Sequence, residues 1–207
     1  MKIFINRVIA CINRKLHKIY FSVCSLLENS YLRMIGVQIR GGNFRGWTSF
    51  FVSPKSKIVI GSNASFNSSP YTNHIGLNHR CVIALHTDSA YLRVGDNVGM
   101  SSSTINCWKS IIIGDNVRIG ANCTIMDSDF HLDDPRVGQP KEIVIEDNVW
   151  LGANVVVLKG VHIGNNTIVG MNSVVTKSIP ANCIAVGNPC KIIKKYERTY
   201  IFRVFVS

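Results

Sequence analysis

The stretch that decides the fold is IEDNVWLGANVVVLKGVHIGNNTIVGMNSVV, at residues 145–175. An aliphatic residue returns there at every sixth position: Ile145, Leu151, Val157, Ile163, Val169 and Val175. A period of six fits neither an α-helix, which repeats every ~3.6 residues, nor a plain β-strand, which repeats about every two. The pattern predicts an all-β solenoid. Each coil would have three flat sides, with the aliphatic residue inside and Asn or Gly at the corners.

Looser copies of the same phrase extend this prediction towards the N-terminus. One run leads from Ile113 (IGDNVRIGANCT) to Ile125. Phrases led by Ile60, Leu77 and Val94 follow each other at spacings of 17 residues. We therefore expect coils over residues 41–190, with Leu77 leading one of them.

The two ends of the chain differ from this body in charge. Of the net charge of +11, residues 1–40 carry +6 (seven Lys/Arg, one acid), residues 191–207 carry +4 (five, one), and the middle +1. The nearly neutral middle argues against a nucleic-acid-binding body. Apolar residues at spacings of three and four over 3–35 predict an amphipathic helix that caps the first coil. The tail 191–207 would close the other end.

Composition places the chain in a reducing compartment. None of its seven cysteines forms a CxxC pair, and Cys81 and Cys123 stand where the repeat elsewhere has Val, Thr or Ser. Such residues are typical of small buried thiols in a cytoplasmic protein. No apolar run reaches the ~18 residues of a membrane span, and charges interrupt the N-terminal apolar stretch, unlike a secretory signal.

One break in the repeat points to function. After Ile125 the next lead residue should be 131, but the pattern resumes at Ile145, 14 residues late. The insertion, 127–142, begins DSDFHLDDPRV and holds a histidine among aspartates. Insertions on a rigid solenoid gather on one face and often carry function. We therefore predict a functional loop here.

Two segments carry a family resemblance: NVWLGANVVVLKGVHIGNNTIVGMNSVVTKSIPANCIAVGNPCKIIKKY at 148–196 and SSTINCWKSIIIGDNVRIGANCTIMDSDFH at 102–131. They resemble the hexapeptide-repeat acyltransferases. The nearest branch is the sugar O-acetyltransferases related to galactoside and maltose acetyltransferases, including those that act on capsule, lipopolysaccharide and exopolysaccharide sugars. The resemblance implies a left-handed parallel β-helix, a homotrimer with active sites between subunits, acetyl-CoA as donor, a saccharide acceptor and no metal.

The resemblance also assigns roles to residues. His131 would be the general base that takes the proton of a sugar hydroxyl, and Asp127 and Asp129 are close enough in sequence to orient it. Trp150 would flank both acceptor and donor. The remaining expected cofactor contacts are Ala153, Met171, Thr176, Lys177, Lys191 and Lys194, of which the last two would meet the CoA phosphates. Ser102 and Asn106 either bind the acceptor or only turn a corner, and Arg136 either binds an acidic sugar or pairs with an aspartate.

Several alternatives remain open from the sequence. The same chemistry would N-acetylate an amino sugar. A scaffold that binds saccharide or membrane without turnover is a second alternative. A γ-class carbonic anhydrase-like zinc enzyme is a third, suggested by His74 and His79. The basic helix either contacts an anionic membrane beside a lipid-linked or anionic saccharide, or packs within the trimer.

Overall fold

The computed structural model describes residues 2–196, with side chains from 11 to 13 and from 15 to 196. One helix, α1 (Lys2–Met34), precedes twenty short strands, and a short 3-10 helix (Pro70–Thr72) lies between β5 and β6. The predicted tail reaches the described part of the chain only up to residue 196.

The strands form three sheets, and from β1 to β18 the chain visits them in turn, returning to the first after every third strand. Sheet 1 holds β1 (Gln38–Ile39), β4 (Lys57–Ile60), β7 (Tyr91–Val94), β10 (Ser110–Ile113), β13 (Ile143–Ile145) and β16 (His162–Ile163). Sheet 2 holds β2 (Gly42–Arg45), β5 (Ala64–Asn67), β8 (Gly99–Ser101), β11 (Arg118–Ala121), β14 (Trp150–Leu151), β17 (Ile168–Val169), β19 (Cys183–Val186) and β20 (Lys191–Lys195). Sheet 3 holds β3 (Ser49–Val52), β6 (Val82–Leu85), β9 (Thr104–Cys107), β12 (Thr124–Met126), β15 (Val156–Val157) and β18 (Val174–Val175).

The six-residue pattern sets the register of these coils. Ile145 pairs with Ile163, Leu151 with Val169 and Val157 with Val175, each in parallel and 18 residues apart. All six side chains are completely buried, so the lead residues form the core, as predicted. The final pair, β19 with β20, is antiparallel and ends the parallel order of sheet 2.

Asparagine makes the corners, as the sequence indicates. Asn148, Asn166 and Asn182 have φ between 57° and 58°, the left-handed conformation that asparagine tolerates better than most residues. Their side chains form a ladder, since Asn148 Nδ2 donates to Asn166 Oδ1 (3.2 Å) and Asn166 Nδ2 to Asn182 Oδ1 (3.0 Å). The corner residue therefore satisfies both the backbone turn and the stacking of successive coils.

The expectation that Leu77 leads a coil is wrong. Ile60 pairs directly with Val94, so no coil lies between them. Residues 68–81 instead form a second insertion between β5 and β6, held by side chains such as Ser102, whose Oγ accepts the N–H of His79 (3.0 Å). Leu77 lies at the spacing expected of a lead residue, but spacing alone does not make a coil. The six-residue pattern has to be present in the residues around it as well.

Helix α1 packs on the first coil mainly through polar side chains. Ser25 and Asn29 bond to both the N–H and the C=O of edge strand β2, at Phe44 (2.8 and 3.0 Å) and Gly42 (2.9 and 2.8 Å) respectively. Cys24, Glu28 and Leu32 are buried on the same face. The cap therefore works mainly by pairing the open sheet edge, which would otherwise be free to pair with another strand.

Glu28 is a buried acid in this interface. Its Oε1 accepts the N–H of Thr48 at 2.5 Å, and its Oε2 is buried without a hydrogen-bond partner among the described residues. Burial raises the pKa of this carboxyl from 4.5 to about 7, against the opposing effects of Thr48 and Arg80.

Candidate active site

The insertion 127–142 begins with an anchored aspartate. Asp127 is completely buried. Its Oδ1 accepts the N–H of Trp108 (2.7 Å), and its Oδ2 accepts those of Lys109 (2.7 Å) and Ser110 (2.9 Å). The carboxylate thus fixes the first residue of the loop to the corner of the coil below, where β9 turns into β10.

A buried thiol lies against this anchor. Cys107 Sγ is 3.6 Å from Asp127 Oδ2 and donates towards it. Burial, followed by the negative charge of Asp127, raises the pKa of Cys107. Burial likewise raises the pKa of Cys123 to about 11. Both are packing thiols within the coils, as the sequence predicts for Cys123, and all seven cysteines are free.

Lys159 closes the loop from the next coil up. Its Nζ contacts Asp129 Oδ2 at 2.5 Å and donates to the C=O of Gly138 at 2.8 Å. Only 17% of the lysine side chain is exposed. Lys159 therefore joins the two sides of the insertion and fixes the position of the segment between Asp129 and Gly138.

His131 lies on that held segment, next to a strained residue. Phe130 has φ of 70°, a left-handed conformation that is unusual for a bulky side chain and is often found at functional sites. His131 itself is exposed. Its N–H donates to the C=O of Asp129 (2.9 Å), and its C=O accepts from Asp134 N (3.1 Å). The backbone is thus fixed while the imidazole faces outward.

The structure does not bring Asp127 or Asp129 to the His131 ring. Both carboxylates are occupied, by backbone N–H groups and by Lys159 respectively. Asp134 is likewise paired with Arg136, through contacts of 2.5–3.2 Å that lower the carboxyl pKa. The aspartates shape the loop rather than contact the imidazole.

A cluster of rings beside the loop is missed by the sequence reasoning. His86 stacks on Trp108 (centroids 3.7 Å, 11°), and Phe130 meets Trp108 edge-on (4.5 Å, 75°) and His86 at 5.8 Å. His86 Nε2 pairs with Oδ1 of Asn106 at 3.1 Å. The sequence does place a histidine and a tryptophan at the same corner of successive coils. Recognising that pair requires knowing that β6 and β9 are neighbours in register.

The expected site residues divide between two corners of the coils. His131, Arg136, Thr176 and Lys177 lie at the loop corner, the residues that join sheet 3 to sheet 1. Ser102, Ala153 and Met171 lie at the second corner, which joins sheet 2 to sheet 3. The width of sheet 3, roughly 15 Å for a five-residue span, separates the two sets within one chain.

The second corner is tightly stacked. The N–H of Asn172 donates to the C=O of Ala153 at 2.9 Å. A Cβ on Gly152 would lie 2.6 Å from the backbone nitrogen of Met171, so glycine is required by the close approach. Met171 projects outward with 58% exposure, and Trp150 is also exposed, on β14. Lys191 and Lys194 are exposed on β20.

The acceptor candidates differ in accessibility. Ser102 is completely buried, and its hydroxyl bonds to both backbone groups of His79. In this structure the Ser102 hydroxyl therefore stabilises the corner. Asn106 faces the ring cluster through His86. Arg136 pairs with Asp134, and its side chain stays exposed at the loop corner.

The charge of the loop is negative. Residues 127–142 contain five acids and two Lys/Arg, a net charge of −3. Lys159 and Lys177 at the same corner offset most of this charge, so the loop gives only a weak preference against an anionic acceptor. His74 and His79 lie outside the loop corner, and within residues 2–196 no group of three or more His, Cys, Asp or Glu side chains is placed to hold a metal ion.

Comparison with protein families matches the repeats. The family model for bacterial transferase hexapeptide (six repeats) matches residues 142–177. The model for the hexapeptide repeat of succinyl-transferase matches residues 110–126. Both matches fall on the coils that flank the insertion.

Proteins that are similar to this chain in sequence carry the names of acetyltransferases. The Staphylococcus aureus (strain COL) protein SACOL2570, named as an acetyltransferase, is 39% identical over 136 residues, covering 53% of this chain and 68% of its own. Galactoside O-acetyltransferase of Lactococcus lactis is 44% identical over 90 residues, covering 41% of this chain and 43% of its own.

Solved structures share the architecture. A hexapeptide-repeat acetyltransferase of Vibrio cholerae in complex with acetyl-CoA is similar with a TM-score of 0.52 and 29% identity, over 66% of this chain and 70% of that one. A galactoside acetyltransferase in complex with CoA gives 0.54 and 29%, over 72% and 66%. The polysialic acid O-acetyltransferase OatWY gives 0.51 and 25%, over 82% and 74%.

Proposed function

The chain belongs to the hexapeptide-repeat acetyltransferase family, and from this premise we propose that it transfers the acetyl group of acetyl-CoA to a hydroxyl group of a saccharide. The single observation that carries the proposal is the anchored insertion 127–142, which presents an exposed imidazole at a corner of the coils. The acetyl-CoA and CoA complexes of two similar structures support the donor. The sugar O-acetyltransferases among the similar proteins support the acceptor.

The proposed reaction uses His131 as general base. The neutral imidazole takes the proton of the acceptor hydroxyl as its oxygen attacks the thioester carbonyl carbon, which a nearby base accelerates by about 10²- to 10⁴-fold. The tetrahedral carbon then releases the CoA sulfur as its C–S bond breaks, and the imidazolium returns the proton to that sulfur. Asp127 and Lys159 act indirectly, because they hold the loop in place.

The ring cluster supports a sugar acceptor. The rings of Phe130 and His86 are exposed, and their centroids lie 5.8 Å apart at the loop corner. His131 follows Phe130 directly in the chain. The apolar face of a sugar ring packs well on such surfaces. We assign the acceptor to this side of His131 and favour an uncharged saccharide over an acidic one, because the loop is negative.

The donor site would be completed by a second copy of the chain. The expected donor contacts at Ala153 and Met171 lie a full sheet width from His131 in one copy. A homotrimer of left-handed β-helices would place the loop corner of one copy against the second corner of the next, as the family resemblance implies. Light scattering on the purified protein is expected to give three copies. A monomer with full activity would contradict this arrangement.

A panel assay tests the function. CoA thiol release is measured with acetyl-CoA and neutral, amino and acidic saccharides, and the product is analysed for ester or amide. Ester formation on a neutral saccharide is the expected result. Amide formation on an amino sugar would replace O-acetylation by N-acetylation. CoA binding with no turnover on any acceptor would instead favour a non-catalytic scaffold in the cytoplasm.

A further inference from the structure

Helix α1 carries an apolar stripe that the other described residues leave uncovered. Its members share spacings of three and four and expose 48–78% of their surface: Ile12, Leu16, Ile19, Val23, Leu26, Leu27 and Met34. At about 100° per residue, they fall within a sector of roughly 100° on one side of the helix. An apolar sector of this width is the kind that a helix normally buries.

The stripe lies on the side of the helix that faces away from the coils. The buried positions Cys24, Glu28 and Leu32, with the bonding residues Ser25 and Asn29, occupy the opposite sector and contact β2 and the turn after it. A surface that covered the stripe would therefore meet the helix first, with the stack of coils behind it. The capping role and the stripe do not compete for the same face.

The positive charge of α1 indicates which kind of surface would cover the apolar stripe. Six Lys/Arg residues lie in its sequence (Lys2, Arg7, Arg14, Lys15, Lys18 and Arg33), and the single acid, Glu28, is buried against the coils. By helical position, Lys15 and Arg33 border the stripe, and both are exposed. An apolar stripe with a basic border is the pattern of a helix that lies in the interface of an anionic bilayer.

The competing occupant is the same helix of a second copy. The spacing of four and three from Ile12 to Leu26 would suit contact between helices. Such a contact would bring several basic residues together with no exposed acid on the helix to pair them, which is unfavourable. The bilayer supplies that negative charge. Within residues 2–196, no helix combines the length and hydropathy needed to cross a bilayer.

We propose that α1 docks the protein on an anionic membrane surface, with the Ile12–Met34 stripe in the lipid interface and the coils standing above it. Sheet 3 rises from β3 to β12 in three strand steps, or about 14 Å at ~4.8 Å per step. The loop corner would then stand about 14 Å further from the lipid headgroups than the first coil does. Membrane docking does not rest on the proposed function, whereas an acceptor saccharide attached to a lipid, which this height would suit, does rest on it.

Vesicle flotation of the full-length protein tests the proposal without any need for activity. The probes are vesicles of phosphatidylcholine alone and of phosphatidylcholine mixed with phosphatidylglycerol, at low and high salt. We expect binding to the anionic vesicles only, weakened by salt because the Debye length shortens. Ile19→Asn should weaken binding by about tenfold through lost apolar burial, and Lys15→Gln should weaken it less. Ser22→Asn, an exposed position off the stripe on the same helix, is the matched control and should bind as the wild type does.

Three outcomes would overturn the proposal. The first is no flotation with either vesicle. The second is Ile19→Asn binding as tightly as Ser22→Asn. The third is a change in the number of copies in Ile19→Asn at unchanged flotation, which would assign the stripe to contact between copies. Thermal melting of both variants checks that each is folded, and acetyl transfer to a soluble acceptor should be equal in both.

Discussion

Replacing Asp127 by Asn tests how the loop is held. The carboxylate accepts three backbone N–H groups, two at Oδ2 and one at Oδ1. An amide keeps at most the two bonds at one oxygen, and its NH₂ group then faces the N–H of Trp108. One bond to a charged acceptor, about 1.5–3 kcal/mol, is lost, and the other two weaken because the acceptor becomes neutral. We expect a loss of about 3 kcal/mol in the free energy of unfolding.

The assay is thermal melting at fixed protein concentration. For a chain of this size, ~3 kcal/mol corresponds to a fall of roughly 6–12 °C in Tm. Asp133→Asn is the matched control, since Asp133 lies exposed on the same loop and its loss of charge is identical. If Asp127→Asn melts within a degree or two of Asp133→Asn, the anchoring role of the carboxylate is refuted.

Three further predictions concern other features of the molecule. The Glu28 pKa, raised from 4.5 to about 7, predicts a contribution to stability that is fully present below about pH 4.5 and falls by about 2–3 kcal/mol as pH rises to 7; by thermal melting, Glu28→Gln should lose less stability over this range than the wild type, and an equal loss would contradict the prediction. Asn154 has φ of 58°, so Asn154→Ala should cost about 1–2 kcal/mol and Asn154→Gly less, by urea unfolding; equal costs would contradict the conformational argument. Lys159→Met should lower kcat/KM by about tenfold with Tm little changed, whereas exposed Lys141→Met should not, and equal rates would remove the loop-closing role.

The coils could be predicted because one rule repeats in the sequence. Each lead aliphatic residue marks an inward position, and each corner Asn marks a left-handed turn. Because this pattern recurs every six residues, the position of each side of a coil follows from the one before it. The insertion 127–142 was equally visible, since a break is detected against a regular pattern. The same reasoning failed at Leu77, where a short insertion imitates the spacing of a coil.

The contacts between coils could not be predicted from spacing. Asp127 looks like a partner of His131 because it is four residues away, yet its carboxylate faces amides of the preceding coil, nearly twenty residues back. His86 and Trp108 stack because register places consecutive coils at the same corner. The side of α1 that packs on the coils could not be predicted either. Ser25 and Asn29 bond to an open sheet edge, which the apolar stripe of the helix does not indicate.

The role of His131 is tested by the rate of acetyl transfer by His131→Ala, measured beside acetyl-CoA binding by the same variant. Because the imidazole is exposed and the described residues give its side chain no partner, the variant should fold and melt as the wild type does. We expect a fall in kcat of about 10²- to 10⁴-fold with acetyl-CoA affinity unchanged. A variant that retains wild-type kcat would show that His131 is not the base, and the loop would need another role.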